Sequence, residues 1–115
     1  MTITNTAQIG DLLNLVHDHW FNAEKIIFNK EKKIVMLHLE EKKANLAKGS
    51  KDGIRLLINN AESLNVNDIE KVRDYDLCEI KFDAANSRLI ITGGIPISIQ
   101  IRVTALNIEA ANAAI

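Results

Sequence analysis

The sequence has little of several features that mark whole classes of protein. It contains a single cysteine, which excludes a disulfide within the chain and argues against a secreted, cross-linked scaffold. Its 14 basic and 15 acidic residues leave a net charge of −1, so no global field draws it to nucleic acid or to an anionic membrane. It also lacks a secretion signal and any apolar run long enough to span a bilayer. We therefore expect a cytoplasmic protein with neither nucleic acid nor membrane as a partner.

The size and balance of the chain are those of an ordinary globular domain. Its 115 residues are 47% hydrophobic and 25% charged, which is typical of a folded rather than a disordered or fibrous chain. A chain of this length buries roughly two thirds of the surface that its unfolded form exposes, so it needs no structural metal or disulfide. We expect a single domain over residues 1–115.

The first periodic element follows the N-terminal residues. Apolar side chains recur there at spacings of three and four, which places them on one stripe of a helix. Asn5 precedes Gln8 by three residues, a pairing typical of a helix start, because each side chain can bond a free backbone N–H group. The pattern predicts an amphipathic helix from about Thr6 to His19. The stripe consists of Ile9, Leu12, Leu13, Val16 and Trp20.

Two β-rich segments come next. Residues 23–28 and 33–39 are rich in apolar and β-branched side chains, and the polar residues 29–32 between them have the length of a hairpin turn. Apolar side chains occupy both faces of the second segment, so this strand should be covered on both sides. We expect a β-hairpin.

The middle of the chain begins with an irregular stretch. Residues 40–53 show no periodicity and are rich in lysine, which predicts a mobile loop. A strand resumes over residues 54–58, is interrupted at 59–62, and continues through Leu64 and Val66. A bulge or bend is the simplest account of that interruption.

A second set of elements follows residue 67. Residues 68–74 begin with a capping-type aspartate and carry two apolar residues three apart, which predicts a short middle helix. Residues 78–82 and 88–92 flank a run of turn residues and predict a second hairpin. Residues 97–103 alternate isoleucine or valine with polar residues, the pattern of a half-buried strand. The sequence therefore predicts an α+β fold of mostly antiparallel β structure, with about six strands, the N-terminal amphipathic helix and the short middle helix.

The two halves of the chain have similar local sequences. The order helix, hairpin and long bulged strand recurs, which predicts an α-β-β-β unit repeated over residues 6–67 and 68–110 and related by a pseudo-twofold axis. The alternative is an accidental likeness between two hairpins built from common residues. The matching stretches are 26–29 with 80–83 and 63–66 with 105–108.

The histidines are the candidates for a metal site. His17, His19 and His38 could supply three imidazoles to zinc, with Asp18 or Glu40 adding an oxygen ligand. On a helix, however, His17 and His19 lie about 160° apart around the axis, and only an extended segment would bring them to one face. The alternative is that both border the negative end of the helix dipole and that His38 forms a hydrogen bond within the sheet.

Two other features have simpler structural interpretations. Cys78 alternates with Ile80 and Phe82, which favours a core thiol over a nucleophile. Residues 30–55 carry eight basic and four acidic side chains but lack interleaved aromatics for stacking on bases. We interpret them as a solvated surface and not as a nucleic-acid site.

Two function classes remain open. The first is a small non-enzymatic binding or assembly module that self-associates or binds a protein partner, because a long apolar strand such as 97–103 needs a neighbour at both edges or offers an edge to a second chain. The second is a metal-binding protein or metal-dependent hydrolase using His17, His19 and His38. The sequence indicates no catalytic residue and no cofactor.

Overall fold

The computed structural model describes residues 1–48 and 52–112, which form ten strands in two five-stranded sheets. All of the strand pairings given for these sheets are antiparallel. The elements in chain order are β1 Thr2–Ile3, a 3-10 turn Thr6–Gln8, α1 Ile9–Val16, β2 Trp20–Asn22, a 3-10 turn Ala23–Lys25, β3 Ile27–Asn29, β4 Ile34–Leu39, α2 Asn45–Lys48, β5 Ile54–Ile58, β6 Ala61–Asn67, β7 Asp74–Asp83, β8 Arg88–Gly93, β9 Ser98–Val103 and β10 Ile108–Asn112.

Each sheet contains strands from both halves of the chain. The first sheet has the order β1-β10-β5-β4-β3 and the second has the order β2-β7-β8-β9-β6. The chain runs from β5 in the first sheet into β6 in the second through a bend at Asn60, whose φ is 57°. It runs from β9 in the second sheet back to β10 in the first. A duplicated unit would explain why each half of the chain gives a strand to the sheet of the other half. The repeat over residues 6–67 and 68–110 itself stays a prediction.

The expected fold class is confirmed, but the expected number of about six strands was wrong. The long strand predicted after residue 53 bends into β5 and β6, so it belongs to both sheets. The first strand of the predicted hairpin is also broken, because Asn22 Oδ1 accepts a hydrogen bond of 2.9 Å from Glu24 N and starts a 3-10 turn. Short strands at bends carry too few residues for an alternating pattern to reveal them.

The N-terminal amphipathic helix is present and ends earlier than expected. Gln8 Oε1 accepts a hydrogen bond from Asn5 N at 3.3 Å, as expected for the helix start. The α-helix ends at Val16 because the next residues pair with β7. Asp18 N donates to Leu77 O at 2.9 Å, and Asp18 has a φ of 66° that no helix accommodates. The buried side chains of α1 are Ile9, Leu12 and Val16.

The predicted middle helix at 68–74 was wrong. Asp68 does cap the segment, since its Oδ1 accepts from Lys71 N at 3.0 Å. Lys71 and Arg73 then adopt positive φ angles of 52° and 71°, which a right-handed helix does not contain, so no helical turn forms. Ile69 is 73% exposed, so no buried apolar stripe stabilises a helix here.

The predicted mobile loop, residues 40–53, lies partly outside the described residues, which omit 49–51. Its described part contains α2, and its first residue, Glu40, is buried at the end of β4. No helix in the described ranges has the length and apolar character required to cross a membrane.

The core lies between the sheets and draws side chains from both. Phe21 on β2 stacks on Tyr75 of β7, with ring centroids 6.0 Å apart, and both residues are completely buried. Ile99 and Ile101 on β9 are also buried, and burial of each such side chain contributes about 1.5–3 kcal/mol. The alternation over residues 97–103 therefore identified the inward face of this strand correctly.

Candidate functional site

His17 and His19 lie on the surface where α1 meets β2. His17 Nδ1 lies 3.2 Å from Asp18 Oδ2, and the two side chains are 48% and 76% exposed. His19 Nδ1 lies 3.5 Å from the backbone oxygen of His17. These contacts are local, so the two imidazoles border the helix end and form no shared cavity with the third histidine.

His38 is held by a buried carboxyl group. Its Nε2 lies 2.5 Å from Glu40 Oε2, and the Glu40 side chain is 1% exposed whereas that of His38 is 39% exposed. Gly53 packs so closely on this pair that a Cβ there would lie 2.6 Å from Glu40 Oε2. Glu40 Oε1 is buried and has no hydrogen-bond partner among the described residues. The pair thus fixes the orientation of the imidazole at the end of β4.

The three histidines do not assemble as a metal site. Within residues 1–48 and 52–112, no group of three or more histidine, cysteine, aspartate or glutamate side chains is placed to hold a metal ion. His17 pairs with Asp18 and His38 pairs with Glu40, so each of these two imidazoles has its own carboxylate partner. The metal-binding protein or metal-dependent hydrolase that would use His17, His19 and His38 therefore stays a prediction.

A groove of about 680 Å³ opens between β2, α2 and the residues that precede β7. One of its three cations is paired with a carboxylate: Arg73 Nε and Nη2 each lie 3.2 Å from an oxygen of the neighbouring Asp74. The hydrogen bond to Asp74 raises the pKa of Arg73. Charges of both signs line the wall, so the groove does not select a ligand by sign. The charged lining residues are Glu24, Lys25, Lys43, Arg73 and Asp74.

Cys78 is the extra residue of a β-bulge in β7. Leu77 pairs with Gly93 and Glu79 pairs with Thr92, so Cys78 has no partner on β8. Its side chain is half-buried and forms no disulfide. The bulge explains why the thiol is less buried than the alternating pattern predicts.

One edge of the second sheet is open. β6 ends the sheet and pairs only with β9 in the described ranges. Its first residue is held, because Ala61 N donates to Lys33 O at 2.8 Å. We call residues 63–67 of β6 the open edge. It contains no charged residue and no proline, and Leu64 and Val66 on it are half-buried.

The other strands at sheet ends are protected in ways that β6 is not. β1 has two residues, and β3 has three and is followed by a lysine-rich turn. β2 also has three residues, and Trp20 forms a backbone bridge with Glu40 through hydrogen bonds of 2.7 and 2.9 Å. Short length, flanking lysines and covering contacts are the usual protections of a sheet edge. Among these end strands, β6 is the one that lacks them over several residues.

The sequence allowed residues 97–103 either a neighbour at both edges or an edge open to a second chain. The first outcome is found, because β9 lies between β8 and β6 and has a neighbour on both sides. The strand pattern of β6 is weaker because its apolar side chains are only half-buried at the end of the sheet. The absence of charge over residues 63–67 is the signal that could have identified it.

Comparison of the chain with protein-family models, with curated proteins and with solved structures finds no match.

Proposed function

We propose that this chain is a non-enzymatic assembly module that pairs with a second copy of itself through the open edge. The observation that carries the proposal is the uncharged run of residues 63–67 at the end of the second sheet. An exposed strand edge presents unpaired N–H and C=O groups, which a second strand can satisfy. Two copies would then form one continuous sheet.

A twofold axis suits this edge. Antiparallel pairing that keeps all five residues of the open edge in register places Asn65 opposite Asn65 of the second copy. Leu64 of one copy then lies beside Val66 of the other, and these half-buried side chains cover each other. The same patch serves both copies, as a closed dimer requires.

Electrostatics favour this partner over a charged one. The two carboxylates that flank the open edge both have partners within the chain: Glu62 lies 3.1 Å from Lys33 Nζ, and Asp68 Oδ1 accepts hydrogen bonds from Lys71 N and from the Tyr75 hydroxyl. A net charge of −1 gives two copies little mutual repulsion. The proposal places this association in the cytoplasm, the location expected from the sequence.

The test is the molar mass in solution, measured by light scattering on a size-exclusion column. We expect twice the 12.8 kDa of the chain. The variant Asn65→Lys places two lysines directly opposite each other, with Cβ atoms about 5 Å apart, and like charges in such positions oppose pairing. We expect it to elute with the mass of one chain.

The matched control is Asn14→Lys, which makes the same change at an exposed position of α1, away from β6. It should keep the mass of two chains. A mass of 12.8 kDa for the unmodified protein across the accessible concentrations would reject the proposal. Retention of the double mass by Asn65→Lys would also reject it, because association would then use another surface.

A further inference from the structure

Two arginines face each other on the outer surface of the second sheet. Arg88 on β8 is the direct cross-strand partner of Arg102 on β9. Side chains in such positions have Cβ atoms about 4.5–5.5 Å apart, and like charges placed there destabilise a sheet. The arrangement therefore calls for a balancing negative charge.

The surroundings of the pair form a polar cleft of about 240 Å³, which we call the arginine cleft. Arg88 Nη1 donates to Gln100 Oε1 at 3.0 Å, and Gln100 Nε2 donates to Ser98 Oγ at 3.5 Å. This chain of hydrogen bonds restrains Arg88 before any ligand arrives. The residues that line the cleft are Ser63, Asn65, Arg88, Gln100 and Arg102.

The protein itself balances only part of this positive charge. Asp83 on β7 is the cross-strand partner of Arg88 on its other side. Its pKa is lowered, first by a hydrogen bond from Asn86 and also by the charge of Arg88. Arg102 is exposed and forms no ion pair with any residue in the described ranges. No carboxylate in those ranges lines the arginine cleft.

We propose that the arginine cleft binds an oxyanion of the phosphate class between Arg88 and Arg102. Guanidinium groups donate pairs of N–H bonds to phosphate oxygens, and two of them on adjacent strands can reach one anion from two sides. Ser63 and Asn65 on β6 supply neutral donors at the third side.

The charge of the site favours phosphate over a carboxylate. Two guanidinium groups match the charge of a phosphate near −2, whereas a carboxylate brings one negative charge and two oxygens. A phosphate monoester gains its second charge as the pH rises through about 6, and inorganic phosphate does so at a somewhat higher pH. Binding therefore strengthens over that range, while binding of sulfate, already a dianion, stays nearly constant.

The experiment is a calorimetric titration with inorganic phosphate at constant ionic strength, at about pH 7.5 and about pH 5. We expect one site per chain, with weaker binding at the lower pH. Arg102→Gln should weaken binding about tenfold or more, because a charge-assisted hydrogen-bonding group is lost. Arg102→Lys keeps the positive charge but loses the paired N–H donors of the guanidinium group. Its affinity for phosphate should therefore lie between those of the unmodified protein and Arg102→Gln. Circular dichroism checks that each variant is folded.

The matched control is Lys43→Gln, which removes one cation from the other groove and should leave the affinity unchanged. Equal phosphate binding by Arg102→Gln and the unmodified chain would overturn the proposal, as would equal weakening by Lys43→Gln.

A glycerol 3-phosphate titration distinguishes the two possible sources of the phosphate group. Tighter binding than inorganic phosphate indicates an organic phosphate monoester, and equal or weaker binding indicates the free anion. Ser63 and Asn65 belong to both the open edge and the arginine cleft, but the two tests use different variants and different readouts. Asn65→Lys reports on molar mass and Arg102→Gln on phosphate affinity, so either proposal can fail while the other holds.

Discussion

Glu40 places a carboxyl group where water hardly reaches it. Burial of such a group is costly unless its oxygens are hydrogen-bonded, and here one oxygen bonds His38 while the other has no partner in the described ranges. His38 therefore has a structural role at the end of β4, whatever else binds nearby. The partly exposed imidazole also lines a small neighbouring cleft.

Replacement of His38 tests this role. We expect His38→Ala to lower the free energy of unfolding by about 3 kcal/mol, because the buried carboxyl group of Glu40 then loses its hydrogen-bond partner. Urea denaturation at neutral pH measures the change. The control is His17→Ala at an exposed site, with an expected change within about 0.5 kcal/mol. Equal changes in both variants would contradict a structural role for His38.

The sequence could suggest His38 and Glu40 as neighbours, because residues two apart on a strand share a face. It could not show that Gly53 closes over them, since that contact depends on where the chain returns after α2. For the same reason, the sequence offered His17, His19 and His38 as one set. Their separation follows from the end of α1 at Val16 and the pairing of the next residues with β7.

At the scale of elements, the turn between β7 and β8 is held by Asp83. Its Oδ2 accepts a hydrogen bond of 2.7 Å from Asn86 Nδ2, and this bond is the main reason that its pKa is lowered. A carboxyl whose pKa is lower in the folded state binds fewer protons there than in the unfolded chain. It therefore stabilises the fold above its ordinary pKa of 3.8, and this contribution is lost as the pH falls through the lowered value.

Asp83→Asn should accordingly lower the melting temperature at neutral pH. The difference from the unmodified protein should shrink as the pH falls through the lowered pKa of Asp83, because the carboxyl group then becomes protonated in the folded as well as in the unfolded chain. Thermal unfolding followed by circular dichroism over this pH range measures it. Glu31→Gln, an exposed carboxyl in the first hairpin turn, is the control and should show no such pH-dependent difference. A constant difference over this pH range would contradict the role of the ionised carboxylate.

Elements with strong local patterns were predicted well, and those set by tertiary contacts were not. Residues 33–39 correspond to β4 and residues 97–103 to β9 within one residue at the start. The segment 68–74 has the local signals of a helix, but hydrogen bonds to Tyr75 hold it in another conformation. The Tyr75 hydroxyl donates to Asp68 and accepts from Val72 N. A buried tyrosine outside the segment thus decides its conformation.

At the scale of the whole molecule, the two halves of the chain depend on each other, because each half supplies a strand to the sheet of the other. β6 completes the second sheet beside β9, and β10 completes the first sheet beside β5. Each half therefore supplies an element that the other half needs. Cross-strand partners such as Ile3 and Ile108 are far apart in sequence, so local periodicity could not predict the strand order.

Separation of the halves tests this interdependence. Fragments 1–67 and 68–115 should each lack the cooperative thermal transition of the full chain, because each loses a strand pairing and part of the core. Mixing them should restore β structure if the pieces associate. Circular dichroism of the separate and mixed fragments measures both effects. A cooperative transition in either fragment alone would contradict a single domain over residues 1–115.

The pairing of β1 with β10 has a consequence for engineering. Met1 N donates to Ala110 O at 3.1 Å, and Ala110 N donates to Met1 O at 2.9 Å. A peptide bridge of a few residues from Asn112 to Met1 could therefore close the described part of the chain into a ring without moving either strand. New ends could then be opened at a surface turn, giving a circularly permuted protein with the same sheets.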